Sequence, residues 1–92
     1  MYLEIVSPEA TLFTGEVTAV TLPGVDGEFQ ILKNHAPIIS LLQEGNIKIK
    51  GNLNLKEAYQ DKFSKAANGD TVLHIASGTV EMKNNRVIVL AD

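Results

Sequence analysis

Leu22-Pro23-Gly24-Val25-Asp26-Gly27-Glu28-Phe29-Gln30-Ile31-Leu32-Lys33-Asn34-His35-Ala36-Pro37 decides the reading of this chain. Two turn signals, Pro23-Gly24 and Asp26-Gly27, stand close together. Asp26-Gly27 predicts a two-residue hairpin turn, because both residue types tolerate positive φ. Glu28 to Leu32 is then the returning strand. Phe29 and Ile31 point to one face, and Glu28 and Gln30 to the other. Pro37 suits the start or the edge of a further strand, since it has no amide to donate to a ladder.

Working outward, the same alternation recurs. Tyr2 to Val6 is short, partly β-branched and closed by Ser7-Pro8, the pattern of a first strand. Leu12-Phe13 and then Glu16 to Leu22 follow, with Gly15 between them. Val17, Ala19 and Thr21 share one face of that run, and Thr18, Val20 and Leu22 the other. Both faces are partly apolar, as expected inside a sandwich. Downstream, Ile47 and Ile49 alternate with Lys48 and Lys50 after a Glu44-Gly45-Asn46 turn, which predicts a half-exposed strand. Thr71 to Ala76 is again β-rich, Gly78 interrupts it, and Thr79 to Lys83 resumes. Asn84-Asn85 reads as a two-residue turn into Arg86 to Leu90. Only Asn54 to Gly69 changes period. Leu55, Ala58, Tyr59, Phe63, Ala66 and Ala67 fall on one helical face, Asn54 with Glu57 forms a capping box, and Gly69 suits a left-handed helix end. The expectation is one domain over residues 1–92. It is mainly β, a flattened antiparallel β-sandwich or barrel with one inserted short helix at about residues 55–67, its apolar stripe packed on the domain's own sheet.

Size and composition narrow the function. A 92-residue chain buries only about 60–65% of its unfolded surface, so its core is small. With 45% hydrophobic residues it is globular. Eight Lys and Arg against 11 Asp and Glu leave no basic stripe for a nucleic acid. Cysteine is absent, which excludes disulfides and thiolate metal sites. Met1-Tyr2-Leu3-Glu4 is not a secretory signal, and no apolar run approaches the ~20 residues of a membrane helix, so membrane association is expected through protein partners.

The chemical motifs read blandly. Gly24-Val25-Asp26-Gly27 lacks the Lys-Ser/Thr of a phosphate loop and the three glycines of a dinucleotide fingerprint, and is a turn. His35 and His74 are the only histidines, too few for the three or four ligands of a metal site. No serine has the context of a nucleophilic triad, and nothing pairs Glu9, Glu16 or Glu28 as acid and base. The expectation is no enzyme activity, no cofactor and no metal. One alternative is a lipoyl- or biotinyl-type carrier domain, because Lys83 follows Met82 beside a hairpin turn. Another is a free-standing β-sandwich adaptor.

Three ordered motifs resemble the epsilon subunit of F-type ATP synthases. Leu3-Glu4-Ile5-Val6-Ser7-Pro8 with Leu12-Phe13-Thr14-Gly15 is similar to the family's opening strands. Gly27-Glu28 leading to His35-Ala36-Pro37-Ile38-Ile39 is similar to its middle. Ser77-Gly78-Thr79-Val80-Glu81-Met82 leading to Val87-Ile88-Val89-Leu90-Ala91-Asp92 is similar to its last hairpin. Gln30 stands where the family often has Gly, and Lys33-Asn34 where it has Pro-Gly. Gly51 to Asp70 is longer than the family's usual connection. Many members continue past Asp92 into an inhibitory helical hairpin, so the expectation is the β domain alone, without ATP binding or inhibition of hydrolysis.

The resemblance implies a non-catalytic central-stalk subunit of a proton-translocating synthase, coupling the gamma subunit to the c-ring during ATP synthesis. It would sit peripherally on the cytoplasmic face of the bacterial inner membrane. It places Val25, Asp26, Gly27, Glu28 and Phe29 at the c-ring. It places His35, Ala36, Pro37, Ile38 and Ile39 at gamma.

Overall fold

The computed structural model describes residues 1–92. Ten strands form it: β1 (Tyr2–Val6), β2 (Thr11–Glu16), β3 (Ala19–Gly24), β4 (Gly27–Leu32), β5 (Ile38–Leu42), β6 (Gly45–Lys50), β7 (Phe63–Lys65), β8 (Thr71–Ile75), β9 (Gly78–Lys83) and β10 (Arg86–Ala91). They hydrogen-bond in the order β2-β1-β10-β9-β5-β3-β6-β8-β7, with β4 on the other side of β3. The joint between β5 and β3 is a single pair, Gly24 opposite Leu42. The sheet folds over at that joint. One layer is β2-β1-β10-β9-β5, and the layer facing it is β4-β3-β6-β8-β7.

Period-two alternation builds the core between the layers. Leu3 and Ile5 of β1, Val80 and Met82 of β9, and Val87 and Val89 of β10 point inward from the first layer. Val20 and Leu22 of β3, Ile31 of β4, Ile47 and Ile49 of β6, and Leu73 and Ile75 of β8 meet them from the second. Thr71 is buried in register with Ile49, and its hydroxyl has no hydrogen-bond partner.

Four expectations are corrected. First, the sandwich is not wholly antiparallel: β1 and β10 run parallel, Leu3 beside Val87 and Ile5 beside Val89. Strands β2 and β9 occupy the hairpin sides of β1 and β10. β1 and β10 therefore meet along their remaining edges. Second, Glu16 to Leu22 is not one strand. Val17 and Thr18 bridge two, held by Val17 N–H to the Met1 carbonyl and Thr18 N–H to the Lys50 carbonyl, both 2.8 Å.

Third, the hairpin turn shifts by one residue. Gly24 pairs with Gly27, so Val25 and Asp26 form the tip. Gly27 carries the positive φ of 123°, while Asp26 is not left-handed. The strain-free residue for that conformation is glycine, and the register slides to place it there.

Fourth, residues 55–67 are not an α-helix. Only Glu57–Lys62 coils, as a 3₁₀ helix entered from an extended Lys56 with no side-chain cap, so Asn54 does not serve as one. At Phe63 the chain becomes strand β7 and pairs with β8, Phe63 opposite Leu73. An isolated helix of this length is marginal in water, whereas the edge of β8 offers a row of unpaired backbone groups. Leu53, Leu55, Tyr59 and Phe63 still pack on the core, but Ala58 and Ala67 are exposed. Gly69 is left-handed as expected, φ 92°, in the turn from β7 to β8, where Ala66 N–H reaches the Asp70 carbonyl at 2.9 Å. By contrast, Asn84 and Asn85 adopt φ of 53° and 60°, the two left-handed residues of a mirror-type hairpin turn.

Candidate functional site

The two layers present different outer faces. On the first, cross-strand registers lay out two rows. Leu41 lies beside Thr79, Leu90 and Val6, and Ile39 beside Glu81, Ile88 and Glu4. Ile39 is 77% exposed, Leu41 62% and Leu90 53%. Val25, 48% exposed, joins this patch because its N–H donates to the Leu41 carbonyl at 3.2 Å. Val6, Pro8, Val25, Leu41 and Leu90 line an open groove at the tip end of the face. Pro37, Ile38, Ile39, Glu81 and Lys83 line a smaller one toward the other end.

The outer face of the second layer is polar and self-paired. Lys48 lies 3.1 Å from Glu28 and Lys50 3.9 Å from Asp70. His74 contacts Glu44 at 3.3 Å and the Asn46 side-chain oxygen at 3.0 Å. Gln30 donates to the Thr21 hydroxyl at 3.4 Å. These polar groups are locally paired, Asp70 from a buried position, and Leu32 at the end of β4 is the one large apolar side chain more than half exposed on this face, at 52%.

The first expected contact set, Val25 to Phe29, surrounds the β3–β4 tip. Val25, Asp26, Gly27 and Glu28 are exposed. Glu28 is already engaged by Lys48, which leaves Asp26 as the unpaired carboxylate of the tip. Phe29 is half-buried against the core. A Cβ on Gly24 would lie 2.8 Å from its ring, so Gly24 is the space into which Phe29 folds.

The second set, His35 to Ile39, divides as a strand must. His35, Ala36 and Pro37 form an exposed loop. Ile38 turns inward and packs on the core, and Ile39 turns outward. The two sets are not one patch: the tip and the loop lie at opposite ends of β4, five residue steps apart, roughly 17 Å at 3.3 Å per residue. The apolar row on β5 runs between them.

Sequence reasoning missed Leu41, Ile88 and Leu90. A signal was available. Ile38-Ile39-Ser40-Leu41-Leu42 and Val87-Ile88-Val89-Leu90 are apolar at consecutive positions, and a strand that is apolar on both faces has a second face to cover. No three His, Asp or Glu side chains converge on one point, and no helix is long and apolar enough to cross a membrane.

Comparison with known proteins gives a consistent picture. The profile of the "ATP synthase, Delta/Epsilon chain, beta-sandwich domain" family matches residues 1–92. The chain is 37% identical over 90 residues to the ATP synthase epsilon chain of Chlorobium limicola, covering 98% of itself and 86% of that protein. It is 41% identical over 92 residues to the epsilon chain of Helicobacter pylori, covering 98% of itself and 61% of the relative. For the Campylobacter concisus epsilon chain the values are 38% over 92 residues, 100% and 60%. The chain thus spans most of the first relative and about three-fifths of the other two. Its fold matches a chain of the Tetrahymena thermophila mitochondrial ATP synthase central stalk and c-ring, with a TM-score of 0.73 at 14% identity, over 99% of this chain and 62% of that one. A chain of the Euglena gracilis mitochondrial ATP synthase gives 0.72 at 16%, over 97% and 48%.

Proposed function

Because this chain belongs to the ATP synthase delta/epsilon chain family through its beta-sandwich domain, we propose that it is a central-stalk subunit joining the gamma subunit to the c-ring. In this role it transmits torque and holds contacts, and performs no chemical step of its own. It is peripheral to the membrane, on the cytoplasmic side of a bacterial inner membrane, held there by its partners.

The observation that carries this reading is the unpartnered apolar face of the first layer. Ile39, Leu41 and Leu90 stand in adjacent rows and are each more than half exposed. Fully burying such a side chain contributes about 1.5–3 kcal/mol, so covering these three favours association by several kcal/mol before the cost of binding is subtracted. We assign this face and the adjoining His35–Pro37 loop to gamma. We assign the β3–β4 tip, with Asp26 as its free carboxylate, to the c-ring loops. The carrier alternative is less well supported, because Lys83 is the last residue of β9, paired with Arg86, and flanks the two-residue turn instead of standing at its tip.

The test is capture of purified gamma by the chain. Ile39→Glu should abolish capture while the isolated domain keeps its thermal midpoint, and Gln30→Glu on the polar face should leave capture unchanged. Equal capture by wild type and Ile39→Glu would remove the apolar face from the interface.

A further inference from the structure

The end of the sandwich opposite the hairpin tip holds three asparagines in left-handed backbone: Asn34, φ 62°, Asn84, φ 53°, and Asn85, φ 60°. Such conformations are uncommon outside glycine, and asparagine is among the residues that tolerate them. Asn34 opens the loop that continues through His35, Ala36 and Pro37. Every residue from Lys33 to Pro37 is exposed, and none belongs to a strand.

Within this loop the hydrogen bonds are local. His35 N–H donates to the Leu32 carbonyl at 3.1 Å, and His35 Nδ1 lies 2.7 Å from the Ala36 carbonyl. One hydrogen bond ties the loop to another part of the chain: Asn34 N–H donates to Asn85 Oδ1 at 2.9 Å, across 51 residues of sequence. Asn85 is itself well anchored. Its carbonyl accepts the Tyr2 N–H at 3.0 Å. The neighbouring Arg86 guanidinium lies over the Tyr2 ring, 4.8 Å from its centroid. Asn85 therefore joins the start of β1, the β9–β10 hairpin and the exposed loop.

We propose that Asn85 is a latch that sets the shape in which the Asn34–Pro37 loop meets gamma. This rests on the assignment of that loop to gamma. The physical reason is preorganisation. A loop already held in its bound shape loses less conformational freedom on association, so a residue that holds it raises affinity without touching the partner. Asn34 is left-handed without glycine's freedom from strain, and an acceptor on its amide helps keep it there. Asn85 is a positioning residue here.

The experiment compares the wild-type chain with Asn85→Gly, Asn85→Asp and Asn84→Gly. Glycine keeps the positive φ of the turn but removes the acceptor. Aspartate keeps both. Amide exchange of Asn34, followed by NMR, should speed roughly three- to tenfold in Asn85→Gly, the scale of one solvent-accessible hydrogen bond. The dissociation constant for purified gamma should weaken by a similar factor. Asn85→Asp should restore both, and Asn84→Gly should change neither. Unchanged exchange in Asn85→Gly overturns the latch. Faster exchange with unchanged gamma affinity overturns its role in the interface. A wild-type chain that does not bind gamma overturns the assignment of the partner, and the exchange data still decide whether the latch exists.

Discussion

The two outer faces of this sandwich are built by the same alternation of side chains, yet one is paired within itself and the other is not. On the β4-β3-β6-β8 face, Glu28 meets Lys48 and Lys50 meets Asp70. On the β5-β9-β10 face, Ile39, Leu41 and Leu90 are each more than half exposed. Water satisfies the first face, whereas the second leaves apolar area that a partner gains by covering. The interface proposed above is therefore marked by what it leaves uncovered, more than by any one reactive side chain.

The largest effect that can break this contrast is on binding. Replacing both Ile39 and Leu41 by Glu should weaken gamma affinity at least ~100-fold, about 3 kcal/mol, in a titration by surface plasmon resonance. The same two charges introduced at Gln30 and Thr21 on the polar face should change affinity less than about threefold. If both pairs weaken binding equally, the faces do not differ in function.

The next effect separates face from core within two neighbouring residues. Ile38 packs inward and Ile39 faces out. Ile38→Ala should lower unfolding free energy by about 1–2 kcal/mol, at the low end for such truncations because the site is only partly buried. Ile39→Ala should stay within about 0.5 kcal/mol. Urea melts of the isolated domain measure both, and a reversed order would mean β5 is out of register.

A smaller effect lies beneath the polar face. The Thr71 hydroxyl is buried without a partner, which costs folding free energy. Thr71→Val keeps the shape and removes the orphan group, so stability should rise by up to about 1 kcal/mol. A loss of stability would show that the hydroxyl finds a partner in solution.

The smallest effect tests the self-pairing itself. A double-mutant cycle on Lys48 and Glu28 should return a coupling below about 0.5 kcal/mol, because both side chains are exposed. It should fade in high salt. A larger, salt-resistant coupling would make the polar face a structural clamp.

Much of this was legible in the sequence because it is local. Ile47 and Ile49 alternating with Lys48 and Lys50 announce β6, and Asn84-Asn85 announces the last hairpin. The ordered motifs at Leu3–Gly15, Gly27–Ile39 and Ser77–Asp92 carried the resemblance that the family match bears out. The failures occur where the outcome depends on a distant strand. Leu55, Tyr59 and Phe63 carry a helical spacing, but the open edge of β8 draws Phe63–Lys65 into the sheet instead.

Residue identity alone thus determined the strands, their alternation and the turns built from Asn and Gly, because steric limits on φ and side-chain period act within a few residues. Tertiary structure decided that β1 and β10 lie parallel, that the tip is Val25-Asp26 and that residues 55–67 split between a 3₁₀ turn and an edge strand. It also decided which face of β5 and β10 stays open. Both strands are apolar on both sides, and only the position of the facing layer settles which side is covered.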